Sequence, residues 1–366
     1  MPPHGSCPFP AWGSRAECAD SRCSNGNCRC RLSVPSRVMT SVWRRLIQCL
    51  KAINRFRLWL WETPPFYELR GRSFQLKERL TGYPALHQAF LRRTGYELDL
   101  VHPRTFHHKI TALKIRRPPR IFVQAVDKVW AKDLALEWAA QHGFDLGVAR
   151  TLAVVKDVNQ IPWDALPERF LVKASHRSGA NHFVDQREDV DRAALRLKCR
   201  QWLDYPYGVY KHEWAYWPVP RRLLIEELIE PDGDAELFDY KFHMSRGKCL
   251  MIQVNQGFQS GDRRRTMLLP PWQPQPVCWL YPRPDQIPAE PENLGVMLEI
   301  ASVFSREFPY LRVDLYSVKQ TAPSLSDRQQ NSLRVFFGEF TFFPGSGSEP
   351  VDPFGFDLAM GERLVI

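Results

Sequence analysis

The sequence predicts an α+β fold in which a mostly helical N-terminal region precedes a larger mixed domain. Apolar residues recur at helical spacing in residues 41–61, and residues 70–118 also have a helical pattern, with breaks near Gly82 and His102. From residue 121 onward, apolar runs typical of strands alternate with helical segments. The 366 residues are enough for one or two domains with a large buried core.

The net charge of +10 belongs mainly to the first 61 residues. That stretch contains ten Arg and Lys but only two acids, Glu17 and Asp20, so +8 of the charge lies there. The rest of the chain is close to neutral. We therefore expect no nucleic-acid groove in the main body.

Residues 1–40 are rich in Pro, Ser, Gly and Arg and are predicted to be a disordered tail. Five of the nine cysteines lie in the first 30 residues, but no companion pair at zinc-site spacing follows them. The other cysteines are scattered, as in a reducing cytoplasm. Met39 is an alternative start to Met1. The sequence contains neither a signal-peptide apolar segment nor an uncharged apolar run of membrane-spanning length.

Residues 41–61 are predicted to form a basic amphipathic helix. Apolar residues recur at helical spacing from Trp43 to Ile53, while Arg44, Lys51 and Arg55 share another face. Such a helix suits an anionic membrane surface. Packing of the helix on its own domain is an equally good interpretation.

The remaining chain divides into a helical region, 62–120, and a mixed domain, 121–366. In the first, residues 105–114 are predicted to form a short helix. In the second, helices are predicted at 128–141, 189–205 and 294–308, and strands at 151–155, 169–173, 222–229, 311–318 and 333–342. A hairpin is predicted from 239–244 and 249–254, and a proline-rich connector at 270–291.

The last two predicted strands carry charged residues among apolar ones. Because strand side chains alternate, Arg312 and Asp314 share a face, as do Glu339 and Thr341 on the other strand. Pairing of the strands brings the two carboxylates together, where they repel each other unless a cation such as Mg²⁺ intervenes. Ordinary surface ion pairs are the alternative, but they do not explain acids in such apolar strands.

A second polar cluster follows the strand that ends at Lys173. Lys173 supplies a point charge, and the following loop contains Ser175, Ser178 and Gly179, whose backbone amides could wrap a phosphate. Lysines at strand ends are common, so this signal is weak alone. Lys128, further upstream, is a weaker candidate for the same role.

A third cluster begins with Glu226, Glu227 and Leu228 at the end of an apolar strand and continues to Asp239 and Lys241. An adenine needs an apolar slot with a backbone hinge, and a later carboxylate can bind the ribose hydroxyls. A solvated acidic strand end is the alternative interpretation.

The order of these clusters resembles the TupA-like ATP-grasp family, named for teichuronopeptide biosynthesis. The resemblance covers residues 105–361. It rests on motifs that begin at Val126, Leu166, Glu213, Ile225, Asp239, Arg312 and Gly338. The chain departs from the family in the loop 176–179, where Arg177 stands in place of a glycine. Arg177 could add a phosphate contact or mark drift from ATP use, and we expect the phosphate contact because both metal carboxylates remain. We expect His176 to be either a backbone cap or a catalytic residue.

The resemblance implies two α+β subdomains that clasp ATP, and it implies a role for each candidate residue. Lys128 and Lys173 would bind ATP phosphates, and Lys241 and Arg312 would contact phosphate or an activated carboxylate. Glu226 and the Glu227–Leu228 backbone would line adenine, and Asp239 would bind the ribose. Asp314 and Glu339 would bind two Mg²⁺ ions, with Thr341 where many ATP-grasp enzymes have asparagine.

The reaction that the resemblance implies is ATP-dependent carboxylate–amine ligation through an acyl phosphate. The acid would be a uronic acid or amino acid of a bacterial surface polysaccharide, linked to a saccharide. The protein would be cytoplasmic, with peripheral contact at the inner membrane face through residues 41–61. The alternatives are a glycosyltransferase-type enzyme of polysaccharide biosynthesis and a non-catalytic ATP-binding scaffold.

Overall fold

The computed structural model describes residues 64–116, 120–205, 207–230, 237–257, 261–319 and 333–366. The predicted tail, 1–40, and the predicted amphipathic helix, 41–61, lie outside these residues. Within them, no helix combines the length and apolar character needed to cross a membrane. The described helices are α1 (Pro64–Leu80), α2 (Pro84–Thr94), α3 (Phe106–Ile115), α4 (Ile121–Val126), α5 (Trp130–Gln141), α6 (Arg192–Asp204), α7 (Leu294–Ser305) and α8 (Phe354–Arg363).

The described strands form a larger and a smaller sheet, with a short two-stranded ribbon beside them. In chain order they are β1 (Leu146–Val148), β2 (Thr151–Val155), β3 (Phe170–Ala174), β4 (Asn181–Val184), β5 (Leu223–Glu226), β6 (Asp239–Ser245), β7 (Lys248–Gln256), β8 (Arg264–Leu269), β9 (Gln273–Pro274), β10 (Cys278–Trp279), β11 (Leu311–Lys319), β12 (Leu333–Thr341) and β13 (Val351–Asp352).

The larger sheet has the described strand order β1-β12-β11-β6-β7-β8-β9. All neighbours are antiparallel except β1 and β12. Its apolar side chains share one core with α5 and α7, where Trp138 contacts Phe304 at a ring-centroid distance of 5.6 Å. The central strands β6 and β7 are buried along most of their length, although β6 carries Asp239, Lys241 and His243 among its apolar residues.

The smaller sheet is antiparallel with the order β2-β5-β3-β4. Helix α6 packs against it through Leu195, Cys199 and Trp202, which form a core with Phe170 and Val172. The chain thus builds two sheet-based units with separate apolar cores. This arrangement matches the predicted α+β fold with two subdomains.

Several predicted elements are present with shifted ends that local hydrogen bonds explain. Helix α6 begins at Arg192 because the Asp191 side chain accepts hydrogen bonds from Ala193 and Ala194. Thr105 caps α3 in the same way, through the backbone N–H of His108 at 3.0 Å. The predicted hairpin is confirmed as β6–β7, with Arg246 and Gly247 at positive φ in its turn. Strands β1, β4, β8 and β13 were not predicted, and β9 and β10 lie within the predicted proline-rich connector, 270–291.

The helical N-terminal region packs directly on the larger unit. Phe106 and Ile110 of α3 are fully buried in the core of the larger sheet, and His107 pairs with Asp357 of α8 at 3.0 Å. Lys109 donates a 2.7 Å hydrogen bond to the carbonyl of Leu364. Helix α3 therefore supports the C-terminal segment, while the boundary predicted near residue 120 stays a prediction.

Replacing Gly361 with alanine tests this packing. A Cβ atom at position 361 would lie 2.0 Å from the backbone oxygen of Arg104 and 2.5 Å from the carbonyl carbon of Thr105. Since backbone must move to relieve the clash, we expect Gly361→Ala to lower the free energy of unfolding by roughly 3 kcal/mol. Urea denaturation measures the change.

Gly355→Ala is the matched control, because it lies in the same helix with open space around its Cβ position. This variant should gain up to about 1 kcal/mol of stability from its higher helix propensity. Equal effects of the two substitutions would show that α3 and α8 are not packed as described.

Candidate active site

Strands β11 and β12 place four of the predicted residues together. In their antiparallel register, Asp314 faces Glu339 and Arg312 faces Thr341. The Arg312 guanidinium donates two hydrogen bonds of 2.7 Å to the Asp314 carboxylate. One of its nitrogens also lies 3.1 Å from Glu339 and 3.1 Å from Thr341 Oγ1. The two carboxylates therefore converge on a single cationic group, as the alternation in the sequence predicted.

A β-bulge produces this register, and Gly338 lies in it. A Cβ atom at position 338 would lie 2.9 Å from the Tyr316 ring and 3.1 Å from the Asp314 carbonyl oxygen. Without a side chain at Gly338, Tyr316 can lie close to β12. The pKa of Tyr316 is raised well above its ordinary value, by Asp239 first, then by burial and the other nearby carboxylates. Tyr316 thus lies among the acids of the site.

Two lysines complete the charge balance around these carboxylates. Lys128 Nζ lies 2.6 Å from Glu339, and Lys241 pairs with both Asp314 and Asp239. Burial alone raises the pKa of Glu339, but Lys128, Arg312 and Lys241 lower it more strongly. Glu339 is therefore ionised at neutral pH.

Thr341 has a supporting position beside Glu339. Its hydroxyl donates a 3.1 Å hydrogen bond to the Glu339 carboxylate and accepts one from Arg312. The hydroxyl thereby orients the carboxylate. This geometry accounts for a hydroxyl residue at position 341 without requiring a metal bond.

Glu226 occupies the end of β5, where it is 1% exposed and pairs with two lysines. One is Lys173 of β3, and the other is Lys132 of α5, whose Nζ lies 2.6 Å from the carboxylate. Burial alone raises the pKa of Glu226, but the two lysines together bring it below its ordinary value. Lys173 and Glu226 thus form an ion pair with each other. The sequence analysis had predicted separate roles for them, Lys173 at the ATP phosphates and Glu226 at the adenine.

The sequence interpretation missed Lys132. It lies one helical turn after Lys128 and also donates a 2.8 Å hydrogen bond to the carbonyl of Ala149. The spacing of four residues between these lysines was the available signal, because it places both on one side of the chain where α5 begins.

Asp239 has a free acceptor in a buried position. One of its oxygens lies 2.6 Å from Lys241, while the other has no hydrogen-bond partner among the residues that the structure describes. Burial raises the pKa of Asp239 despite the neighbouring Lys241. A buried oxygen without a partner is a suitable acceptor for a ligand hydroxyl, which fits the predicted contact with a ribose.

The predicted hinge is only partly available to a ligand. The backbone N–H of Glu227 donates to the carbonyl of Arg150 at 3.0 Å, and its side chain pairs with Arg150 at the surface. Leu228, the next residue, is half-buried. Of the two hinge amides, the one at Glu227 is therefore already engaged.

The loop after Lys173 divides into an anchored part and an exposed part. Ser175 is buried and donates a 3.0 Å hydrogen bond to the carbonyl of Pro220, while its own carbonyl accepts from Lys128 N–H at 3.2 Å. Ser178 and Gly179 are exposed at the tip, where Gly179 has a φ of +71°. These two residues are thus the accessible part of the predicted phosphate loop.

Arg177 and His176 are held by local contacts. The Arg177 guanidinium lies over the rings of Tyr205 and Tyr207, at 5.8 and 5.4 Å from their centroids. Arg177 therefore packs against aromatic rings, whereas the sequence analysis predicted that it would contact a phosphate. His176 Nε2 lies 3.0 Å from the Trp202 carbonyl oxygen, and burial lowers its pKa to about 4. His176 is therefore neutral and serves as a backbone cap.

The residues present fit a nucleotide-bound Mg²⁺ ion. Across the described ranges, no cluster of three or more His, Cys, Asp or Glu is arranged to hold a metal by itself. Mg²⁺ in nucleotide sites, however, usually takes one or two carboxylates and completes its shell with phosphates and water. Asp314 and Glu339 provide that pair of carboxylates.

Solved structures similar to this chain are ATP-grasp ligases. D-alanine–D-alanine ligase from Bacillus anthracis, solved with ATP, is 15% identical, with 66% of this chain and 65% of that chain covered and a TM-score of 0.34. D-cycloserine synthetase DcsG is 17% identical, with 66% of this chain and 71% of that chain covered and a TM-score of 0.32. The macrocyclase MdnC from Microcystis aeruginosa, bound with precursor peptide MdnA, is 12% identical. The match covers 70% of this chain and 67% of that chain, with a TM-score of 0.31.

The chain spans 65% of the Bacillus ligase and 54% of the peptide ligase PsnB. No curated protein matches the sequence. At these TM-scores the fold assignment rests on the family match, which covers residues 108–365 with the profile described as TupA-like ATPgrasp. That match confirms the predicted family and its α+β ATP-grasp fold. The chain belongs to the TupA-like ATP-grasp family.

Proposed function

We propose that this protein is an ATP- and Mg²⁺-dependent carboxylate–amine ligase that acts through an acyl phosphate. The observation that carries the proposal is the convergence of Asp314 and Glu339 on Arg312, with Lys128 and Lys241 in contact with the same carboxylates. Three cationic side chains around two carboxylates suit a site that exchanges its internal ion pairs for a metal–nucleotide complex. The same site gives no comparable explanation for a nucleotide-sugar substrate.

In the proposed reaction, a carboxylate oxygen of the acid attacks the γ-phosphorus of ATP, and ADP leaves. An amine then attacks the acyl carbon, and phosphate leaves as the amide forms. Asp314 and Glu339 would hold Mg²⁺, which neutralises phosphate charge when bound. Lys128 and Lys173 would bind the phosphates, and Arg312 would stabilise the negative charge on the transferring group.

The binding roles follow from the positions of the remaining residues. The free oxygen of Asp239 would accept a hydrogen bond from the ribose, and Ser178 and Gly179 would close over the phosphates. Apolar residues beside Leu228 would contact adenine. When ATP enters, Lys173 would leave Glu226 for a phosphate, while Lys132 stays to neutralise the carboxylate.

For the substrate, we propose a uronic acid or an amino acid that is linked to a saccharide of a bacterial surface polysaccharide. The family name, which derives from teichuronopeptide synthesis, supports this choice. The expected place of reaction is the cytoplasmic side of the inner membrane. The basic composition of residues 41–61 supports a peripheral contact there.

Release of ADP and phosphate tests the proposed reaction. The purified protein is mixed with Mg²⁺-ATP, and uronic acids and amino acids are added separately and in pairs. We expect ADP release to require both an acid and an amine and to yield an amide of matching amount. Release of a nucleoside diphosphate from a nucleotide sugar, without any ATP requirement, would contradict the proposal.

Deletion of residues 1–61 tests the membrane contact. Since this segment carries +8 of the net charge, its removal should release the protein from vesicles that contain anionic lipid. Co-sedimentation with such vesicles measures the change, and vesicles of neutral lipid are the control. Unchanged binding after the deletion would place the contact elsewhere or exclude it.

A further inference from the structure

Glu349 is a carboxylate that follows β12 and has been assigned neither to the metal nor to the nucleotide. Its oxygen Oε2 accepts a 3.0 Å hydrogen bond from Arg265 and a 2.8 Å hydrogen bond from the indole N–H of Trp279. The side chains of Arg265 and Glu349 are only 6% and 13% exposed. Arg265 and Trp279 therefore hold this carboxylate in one orientation.

The second oxygen of the Glu349 carboxylate, Oε1, takes no part in these contacts. Within the described part of the chain, no group donates a hydrogen bond to Oε1. It lies against the short loop Pro344–Gly347, because a Cβ atom at position 345 would be 2.5 Å from it. The ion pair with Arg265 thus explains the burial of Oε2, whereas Oε1 stays available as an acceptor for a ligand.

The loop beside Oε1 is anchored on its far side by α3. Lys114 donates hydrogen bonds of 2.6 and 3.1 Å to the carbonyl and hydroxyl of Ser346. The Thr111 hydroxyl donates a 3.0 Å hydrogen bond to the carbonyl of Gly347. The loop follows directly on β12, the strand that carries Glu339. The free oxygen therefore lies beside an anchored loop that adjoins the reaction centre.

Arg265 lies on the same face of the larger sheet as the reaction centre. Its Nε donates a 3.0 Å hydrogen bond to Asn255, which lies 3.0 Å from the side-chain amide of Gln253. Gln253 faces Lys241 in the β6–β7 register, and Lys241 pairs with Asp314. Residues that face each other on neighbouring strands project to the same side of a sheet. The contacts from Arg265 to the metal carboxylates thus stay on one face.

Trp279 provides a second connection to this face. Its ring contacts the ring of His243 at a centroid distance of 6.3 Å, and His243 faces Arg312 in the β6–β11 register. His243 is itself held by the Tyr310 hydroxyl, which lies 2.8 Å from Nδ1. Glu349 is therefore separated from Arg312 by this ring contact and by one strand spacing of about 4.8 Å. The interval suits a substrate of the size of one sugar residue.

Glu349 is ionised, and Arg265 already balances its charge. Burial alone raises the pKa of Glu349, but Arg265 and then His107 bring it below its ordinary value. A further cation would be repelled by the Arg265 guanidinium. A neutral donor such as a hydroxyl group can bind to Oε1 without this penalty. The chemistry of the pair therefore favours a hydroxyl group over an ammonium group.

The acid substrate of the proposed reaction must place its reacting carboxylate near Arg312, and the rest of the molecule can then extend across the sheet face toward Glu349. We propose that Oε1 of Glu349 accepts a hydrogen bond from a ring hydroxyl of this acid, so that the activated acid is a uronic acid and not an amino acid. This inference rests on the proposed function. The bonds of Oε2 to Arg265 and Trp279 stay in place when the acid binds.

Hydroxylamine allows the choice of acid to be measured without the amine substrate, because it converts an acyl phosphate into a hydroxamate. The parent protein and Glu349→Gln are compared with Mg²⁺-ATP, hydroxylamine and each of three kinds of acid. These are uronic acids, amino acids and tetrahydropyran-2-carboxylic acid, which has the ring and carboxylate of a uronic acid without its hydroxyl groups. The value of kcat/KM is determined for each acid.

We expect the parent to prefer a uronic acid to the hydroxyl-free acid by about tenfold or more, because a hydrogen bond to a charged acceptor is stronger than one to a neutral acceptor. In Glu349→Gln this preference should fall by about tenfold, since the amide carries no charge. The affinity for Mg²⁺-ATP should stay the same. Glu362→Gln, the same substitution at an exposed position of α8, should keep the preference of the parent.

An equal preference for uronic acids in the parent and in Glu349→Gln would overturn the inference and leave the ligase proposal intact. A preference of the parent for amino acids that is lost in Glu349→Gln would overturn it too, because the carboxylate would then bind an ammonium group. If Glu349→Gln does not fold, Glu349→Asp withdraws the carboxylate from the hydroxyl, and an unchanged preference in that variant would be equally decisive. Absence of hydroxamate with the parent and every acid would contradict the proposed function itself.

Discussion

Replacement of Glu339 with glutamine is expected to lower ATP-dependent turnover by about 10³-fold. Glutamine keeps the size of the side chain but removes the charge that would hold Mg²⁺. A bound metal stabilises the transition state by several kcal/mol, and each 1.4 kcal/mol corresponds to about a tenfold change in rate. The fold should stay intact, because Arg312 retains its hydrogen bonds to Asp314. The rate of ADP release measures the effect.

Glu362→Gln is the matched control for this substitution. Glu362 is exposed on α8 and lies outside the site, so the same change should leave turnover unaltered. If Glu339→Gln released ADP as fast as the parent, Glu339 would not be a metal ligand. The Arg312–Asp314–Glu339 cluster would then have a structural role.

Replacement of Glu226 with glutamine is expected to lower the free energy of unfolding by about 3 kcal/mol. Removal of one partner from a buried ion pair leaves the other charge without compensation. Here two lysines would lose their carboxylate, and the Lys132 side chain is only 10% exposed. Lys132 would keep its hydrogen bond to Ala149, so the loss should stay in the lower part of the usual range. Urea denaturation at neutral pH measures it.

Glu227→Gln, one residue further along, is the control. Its partner Arg150 is 69% exposed, and exposed pairs contribute at most about 1 kcal/mol. The two variants should therefore differ clearly in stability. Equal stability of both would show that the buried cluster of Glu226 with Lys132 and Lys173 does not form.

The effect of Glu226→Gln should also depend on pH. The folded-state pKa of Glu226 lies below its ordinary value, so its stabilising contribution is present at neutral pH. The contribution is lost as the pH falls below the ordinary glutamate pKa and through the folded-state value. The difference in free energy of unfolding between the parent and Glu226→Gln should accordingly become smaller in acid.

The chemistry of the β11–β12 pair was predictable from the sequence because it depends on local patterns. Alternation in the strands fixed which side chains share a face, and the pairing of Asp314 with Glu339 followed from a simple antiparallel hairpin. The bulge at Gly338 was not predictable in this way. It arises from the close approach of Tyr316, which is a tertiary contact.

Residues brought in from distant segments were harder to predict. Lys132 reaches Glu226 from a helix more than ninety positions earlier in the chain, and its four-residue spacing from Lys128 does not indicate which acid it contacts. Arg177 was expected at a phosphate because both metal carboxylates are retained in the sequence, yet its guanidinium lies over the rings of Tyr205 and Tyr207. Helix α3 likewise looked like part of a separate region, although Phe106 and Ile110 complete the core of the larger sheet.

Titration of ATP into the purified protein tests the central claim, that Asp314 and Glu339 hold the metal of a metal–nucleotide complex. We predict binding of ATP in the presence of Mg²⁺, and an affinity lower by about tenfold or more with EDTA. Asp314→Asn should show the same loss even when Mg²⁺ is present. Equal affinity for ATP with Mg²⁺, with EDTA and in Asp314→Asn would contradict the claim.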